Sequence, residues 1–246
     1  MQWTDVGIIL NARLYGERSH ILTIFTENHG RCVGLYKSSA KTKAAIQPGN
    51  LVQAKWSARL PEHLGMWQLE VIDSPSSRLL LDRLKLNALG AALSLADQLM
   101  AEQHVYPELY TSLSHLIYQL VHDNEWGHSY VDYELKLLNE LGFGLDLSKC
   151  AATGRVDDLI YLSPKTGRAV CREAGQPYDK VLFKIPEFWL HSMPINFEQL
   201  HQALVITSHF LQKDLLERGL PTSRISLQLL LREKMDNANS PSHFIS

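Results

Sequence analysis

At Ser74-Pro75-Ser76-Ser77 the hydrophobic pattern of the chain changes its period, and that change constrains the fold more than any single motif does. Before it, short apolar runs alternate with polar residues between turn signals. After it, leucines and alanines recur every three or four residues. A period of two marks a half-buried strand and a period near 3.6 an amphipathic helix. A run of strands followed by a run of helices gives an α+β fold.

Five strands are expected. Val6–Ala12 is a Val/Ile/Leu run ended by the turn around Gly16. Ser19–Thr26 carries Ile21, Leu22, Ile24 and Phe25 and is closed by Glu27-Asn28-His29-Gly30. Arg31–Lys37 follows, then a Ser/Ala/Lys-rich loop and the turn Pro48-Gly49-Asn50. Leu51–Ala58 alternates, with Val52, Ala54, Trp56 and Ala58 on one side. A turn at Pro61–Gly65 leads into Met66–Asp73. Five short strands with turns between them predict a small barrel.

The helical pattern begins with Leu79, Leu80 and Leu84 and runs to Leu99, apolar on most sides. Pro107–His122 and His128–Leu141 are the next helices, the second ended by Gly142 and Gly144. The segment at about 144–186 is irregular, with short strands expected at Leu159–Leu162 and Ala169–Arg172. Asn196 opens a further helix, with Gln199 at capping-box spacing, and Thr222–Lys234 is the last. The expected organisation is a barrel domain over 1–75, a helical domain over 76–236 with the irregular insert, and a frayed polar tail over 237–246.

Composition narrows the class. With 45% hydrophobic and 20% charged residues the chain can build a core. No apolar run approaches the ~20 residues that span a bilayer, so no membrane association is expected. Met1-Gln2-Trp3-Thr4-Asp5 lacks the basic start of a signal peptide. Three cysteines are too few for a disulfide scaffold, which points to a reduced, cytoplasmic protein.

The net charge of -2 is silent about nucleic acid, but its distribution is not. Between Glu27 and Glu62 there is no acidic residue, while Arg31, Lys37, Lys41, Lys43, Lys55 and Arg59 fall there. A cationic track with exposed aromatic faces is what single-stranded nucleic acid needs. Tyr36 and Trp56 are the aromatic candidates. The bland alternative is a solvated loop beside a barrel with two core aromatics, and Trp56 suits the core better than a stacking role.

Cys150 and Cys171 flank part of the irregular segment, where a zinc knuckle could sit. Zinc needs four ligands, and Cys150-Ala151-Ala152-Thr153 and Cys171-Arg172-Glu173-Ala174 supply one thiol each. Neither a metal nor any other cofactor is expected. Eleven histidines invite an enzymatic reading, but no H-E-x-x-H, G-x-S-x-G or P-loop is present. The helix around Tyr133–Gly142 is apolar on more than one side. It is either plain core or, with Lys136 at its rim, one wall of a groove for a partner peptide.

In order and spacing, several segments resemble the bacterial RecO family of recombination mediators. They are Gly7-Ile8-Ile9-Leu10, Tyr15-Gly16-Glu17, Leu22-Thr23-Ile24-Phe25-Thr26, His29-Gly30-Arg31, Gln47-Pro48-Gly49, Tyr133–Phe143 followed by Cys150, and Leu220-Pro221-Thr222-Ser223-Arg224. The resemblance implies an OB-fold barrel followed by a helical domain. It implies a non-enzymatic, nucleoid-associated protein that binds and anneals single-stranded DNA. Its implied partners are the acidic C-terminal tail of single-strand-binding protein, RecR and, indirectly, RecA. Many members carry a four-cysteine zinc site, and Thr153 and Ala174 stand where two of its ligands would be. The tail would need an apolar pocket and a cation, for which Lys136, Leu113, Leu116 and Ile117 are the candidates. The alternatives are an OB-fold RNA-binding adaptor and an enzyme with an unrecognised active site.

Overall fold

The computed structural model of the chain describes all but residues 38, 39, 61, 62, 124, 192 and 240–246. Strands β1 (Gln2–Tyr15), β2 (Ser19–Thr26), β3 (Gly30–Lys37), β4 (Leu51–Ser57) and β5 (Gly65–Asp73) close into a barrel in the order β1-β2-β3-β5-β4. Pairing is antiparallel except between β3 and β5, which meet in parallel at Gly34–Gly65 and Leu35–Met66. Closure removes the open sheet edges that would otherwise invite aggregation. This is the expected OB-type barrel, followed by helices.

Period-two patterning decides what lies inside. On β4, Val52, Ala54 and Trp56 are buried and Leu51, Gln53, Lys55 and Ser57 point outward. On β3, Cys32, Gly34 and Tyr36 point in. With Ile9, Leu22, Ile24 and Trp67 these residues form one continuous core cluster. Ile46 joins it from a 3-10 helix, Ala40–Ile46, that replaces the loop expected between β3 and β4. Asn50 explains the helix locally, since its side-chain amide donates to the carbonyls of Ala44 (3.0 Å) and Ala45 (3.2 Å) and satisfies its last turn.

A single turn, α1 (Pro75–Arg78), precedes α2 (Arg83–Leu99), so the long helix starts four residues later than its leucines suggest. Asp82 sets the start, accepting from the N–H groups of Leu84 (3.1 Å) and Lys85 (3.0 Å) as an N-cap. Helix α3 spans Pro107–His122. The sheet ends at Asp73, but the compact units of the chain divide elsewhere: α2 and α3 go with the barrel in a first unit, Met1–Trp126 with Pro221–Arg224. Physical ties across that unit include Asn11 Nδ2 donating to Asp97 (2.8 Å) and the edge contact of Tyr110 with Phe25.

The second unit comprises Gly127–Leu220 and the chain from Ile225 onward. Helix α4 (Gly127–Glu140) ends at Gly142, whose φ of +86° a glycine accepts without strain. Strands β6 (Leu159–Leu162), β7 (Ala169–Cys171) and β8 (Phe183–Lys184) form a small sheet, order β7-β6-β8, with the single turns α5 (Arg172–Gly175) and α6 (Glu187–Leu190) around it. The capping box of Asn196 and Gln199 opens α7 (Phe197–Asp214) as its spacing predicts. Helices α4 and α7 pack together, and the Thr207 hydroxyl donates to buried Glu134 at 2.5 Å. Helix α8 (Thr222–Asn239) runs past Asp236, where fraying was expected; residues 240–246 of the expected tail lie outside the described residues. Among the described residues no helix is long and apolar enough to cross a membrane.

Candidate nucleic-acid interface

Cross-strand register places the exposed groups on the barrel wall. Tyr15 of β1 pairs with Ser19 of β2, and Ser19 pairs with Lys37 of β3. One step in, Arg13 pairs with Ile21 and Ile21 with Leu35. Directly opposed residues share a face of a sheet, so Tyr15 and Lys37 lie in one row, and Arg13 lies on that same outer face. At roughly 5 Å per strand, Tyr15 and Lys37 stand about 10 Å apart across β2. Tyr15 is 58% exposed, and Arg13, Arg18 and Lys37 are exposed around it.

The candidates from the acid-free stretch have different fates. Lys37, Lys43 and Arg59 are exposed and Lys55 is half-buried on the outer wall. Lys41 belongs to the 3-10 helix, but its side chain lies outside the described residues. Arg31 is committed to the protein: its Nε lies 3.4 Å from Asp97 Oδ1, with only 19% of its side chain exposed. Tyr36 is corrected outright. At 8% exposure it is part of the barrel core and has no face to offer, and Trp56 is likewise core. The reason is elementary: if Lys37 faces water, its neighbour on the strand faces inward. The exposed aromatic is Tyr15. Its signal in the sequence was an aromatic beside the Gly16 turn with Arg13 and Arg18 on either side.

Residues 1–75 match the family described as recombination protein O N terminal, and residues 80–224 the one described as recombination protein O C terminal. The chain belongs to the RecO family. It is similar along nearly its whole length to proteins named DNA repair protein RecO. Identity is 41% to that of Bartonella quintana, covering 95% of this chain and 99% of the relative. It is 42% to that of Bartonella bacilliformis, covering 94% and 98%. It is 39% to that of Rhodospirillum rubrum, covering 91% and 94%.

The zinc site of many RecO proteins can be tested against the residues here. Cys171 N–H donates to Cys150 Sγ (3.3 Å), and the Thr153 hydroxyl lies 3.6 Å from Cys171 Sγ. Two thiols and a threonine thus meet where a knuckle would be. No cluster of three or more His, Cys, Asp or Glu side chains suited to a metal occurs among the described residues. This set does not fit four-coordinate zinc. Burial pushes the Cys150 thiol up, but hydrogen bonds from the Thr153 hydroxyl and from the N–H groups of Cys171, Thr153 and Ala152 outweigh it and bring it to about 6. Hydrogen bonds to the Cys150 sulfur thus help to hold the turn.

The residues expected to hold a partner tail separate. Leu113 and Leu116 are fully buried on the inner face of α3 and cannot line a surface pocket. Ile117 is 7% exposed at the floor of a groove of about 280 Å3 in the first unit, with Val6, Leu51, Tyr118 and Val121 among its walls and Arg78 and His122 lining it too. Lys136 lies on the exposed side of α4, in the second unit, while Tyr130, Tyr133, Leu137 and Leu138 of that helix are core.

Proposed function

We propose that this RecO-family protein is a non-enzymatic recombination mediator whose barrel binds single-stranded DNA and promotes its annealing. The observation that carries the reading is the row of Tyr15 and Lys37, with Arg13 and Arg18, on an open barrel wall. The cations hold phosphates and displace counterions. Tyr15 stacks a base without reading its edge, so sequence preference is weak and the pairing edge stays open to a complementary strand. Nothing in that cycle needs a bond made or broken by the protein.

Replacing Arg13, Arg18 and Lys37 together by alanine is expected to flatten the salt dependence of single-strand binding by about two units in log–log slope, since each phosphate contact contributes roughly 0.7. Annealing without nucleotide or metal should fall with it. A triple variant that binds and anneals like wild type would move the interface off this wall.

The same reading has the protein engage RecR and the acidic, hydrophobic tail of single-strand-binding protein, and through them help load RecA. The groove over Ile117 suits the apolar residues of such a tail; Arg78 at its edge is paired with Asp73 (2.6 Å), which lines the groove too, so the tail's carboxylate would have to compete for that cation. Titrating a labelled tail peptide into wild type and a Tyr118→Ala variant tests it; binding should weaken severalfold, and equal affinities would place the tail elsewhere.

A further inference from the structure

The opposite end of the barrel carries a feature that the DNA-binding wall does not use. Asp5 of β1 is 6% exposed and accepts four hydrogen bonds: from the N–H groups of Val6 (2.9 Å) and Asn28 (2.9 Å), from Asn28 Nδ2 (3.0 Å) and from His29 Nδ1 (2.8 Å). One carboxylate thereby fixes the β2–β3 turn and the tilt of the imidazole. The ring of His29 lies flat on Trp3, centroids 3.9 Å apart and planes at 4°. Trp3, the cross-strand partner of Trp56, is stacked on that indole in turn at 5.6 Å and 15°. Three rings thus rise from the core outward: Trp56 buried, Trp3 half-buried, and the His29 side chain 36% exposed. One face of the imidazole is taken by Trp3 and Nδ1 by Asp5. The other face and the Nε2 edge remain.

The stack borders a pocket of about 350 Å3 that Met1, Asn28, Gln103 and Val105 also line. That volume lies within the ~300–1,000 Å3 of small-ligand sites. Gln103 holds a φ of 58°, a left-handed conformation that glutamine rarely adopts, and its N–H donates to Arg31 O at 2.8 Å. Such held strain clusters where a protein shapes a binding surface.

We propose that His29 is a second base-stacking platform and that this pocket takes an unstacked nucleobase of the bound single strand. A flat ring on a pre-stacked aromatic column, with the amides of Asn28 and Gln103 alongside, suits the face of a base better than a phosphate or a sugar. The pocket lies one strand length from Tyr15, within the 4–16 nucleotides that an OB-fold covers. The inference rests on the DNA-binding reading above.

The test compares a labelled oligo(dT) with the same oligonucleotide made abasic at its central positions, by fluorescence anisotropy. His29→Ala should weaken binding of oligo(dT) about tenfold and leave the abasic strand unchanged, and His29→Phe, which keeps a ring, should restore most of the loss. In the wild type, oligo(dT) should quench tryptophan fluorescence and the abasic strand should not, a readout independent of how the variants fold. Unchanged affinity in His29→Ala, equal loss on both strands, a His29→Phe that behaves as the alanine variant, or equal quenching by both strands would each overturn the proposal. Wild type that binds neither strand would overturn the DNA-binding reading itself.

Discussion

Gly30→Ala is expected to destabilise the barrel unit by about 3 kcal/mol or more and to lower its melting temperature by roughly 6–12 °C. Two effects add. Gly30 has a φ of +69°, where an L side chain costs roughly 1–2 kcal/mol. A Cβ there would also stand 1.9 Å from the carbonyl oxygen of His104 and 2.5 Å from its carbonyl carbon. The obstacle is backbone, not a side chain that can rotate away. The segment around Glu102–His104 would have to lift, breaking the Arg31–Glu102 bridge and the bond from Gln103 N–H to Arg31 O. Thermal melting followed by circular dichroism measures the effect. A variant that melts within a degree of wild type would mean that this segment yields without cost.

Asp5→Ala should cost about 2–3 kcal/mol at neutral pH, because it strands two backbone N–H groups and an amide that now share a charged acceptor. The pH dependence is diagnostic. Burial raises the Asp5 carboxyl, but the hydrogen bonds from His29, Asn28 and Val6 outweigh it and hold it below the usual carboxylate range. A group whose folded pKa is depressed stabilises the fold fully above its unfolded pKa, near 3.9, and loses that contribution as pH falls through the folded value. Asp5→Asn should therefore be less stable than wild type at pH 7, with the gap closing as the solution is acidified. Urea titrations at several pH values give the comparison, and a gap constant from pH 7 to pH 2 would rule out the charged carboxylate as the source.

The barrel was legible because its signal is local. Alternation in Leu51–Ala58 and the turns at Gly16, Asn28 and Pro48 are each written within a few residues, and the Asn196–Gln199 cap is equally short-range. The site was less legible because exposure is set by register, which is a relation between distant segments. Tyr36 and Lys37 are adjacent in sequence, yet one plugs the core and the other meets water. Arg31 sits in the acid-free stretch, yet its charge is met by Asp97, sixty-six positions on and outside that stretch. Tyr15 lies outside the acid-free stretch, and His29, inside it, gives no sign in the sequence of the ring it lies against. Only the pairings Tyr15–Ser19–Lys37 and Trp3–Trp56 show what each stands beside. Leu113 and Leu116 failed for the opposite reason: apolar residues at helical spacing are core first, and a pocket needs those on the far side of the stripe.

Asp97 has a consequence for how the barrel keeps its alignment. From α2 it receives the Asn11 amide of β1 and faces the guanidinium of Arg31 on β3. These two strands do not touch each other, for β2 runs between them. A sheet that slips by one residue turns every side chain to the wrong face. Slippage of β2 against either neighbour would carry Asn11 or Arg31 away from a carboxylate anchored on a rigid helix. One acid thus acts as a surveyor's peg for three strands, excluding the misaligned barrel as well as favouring the aligned one.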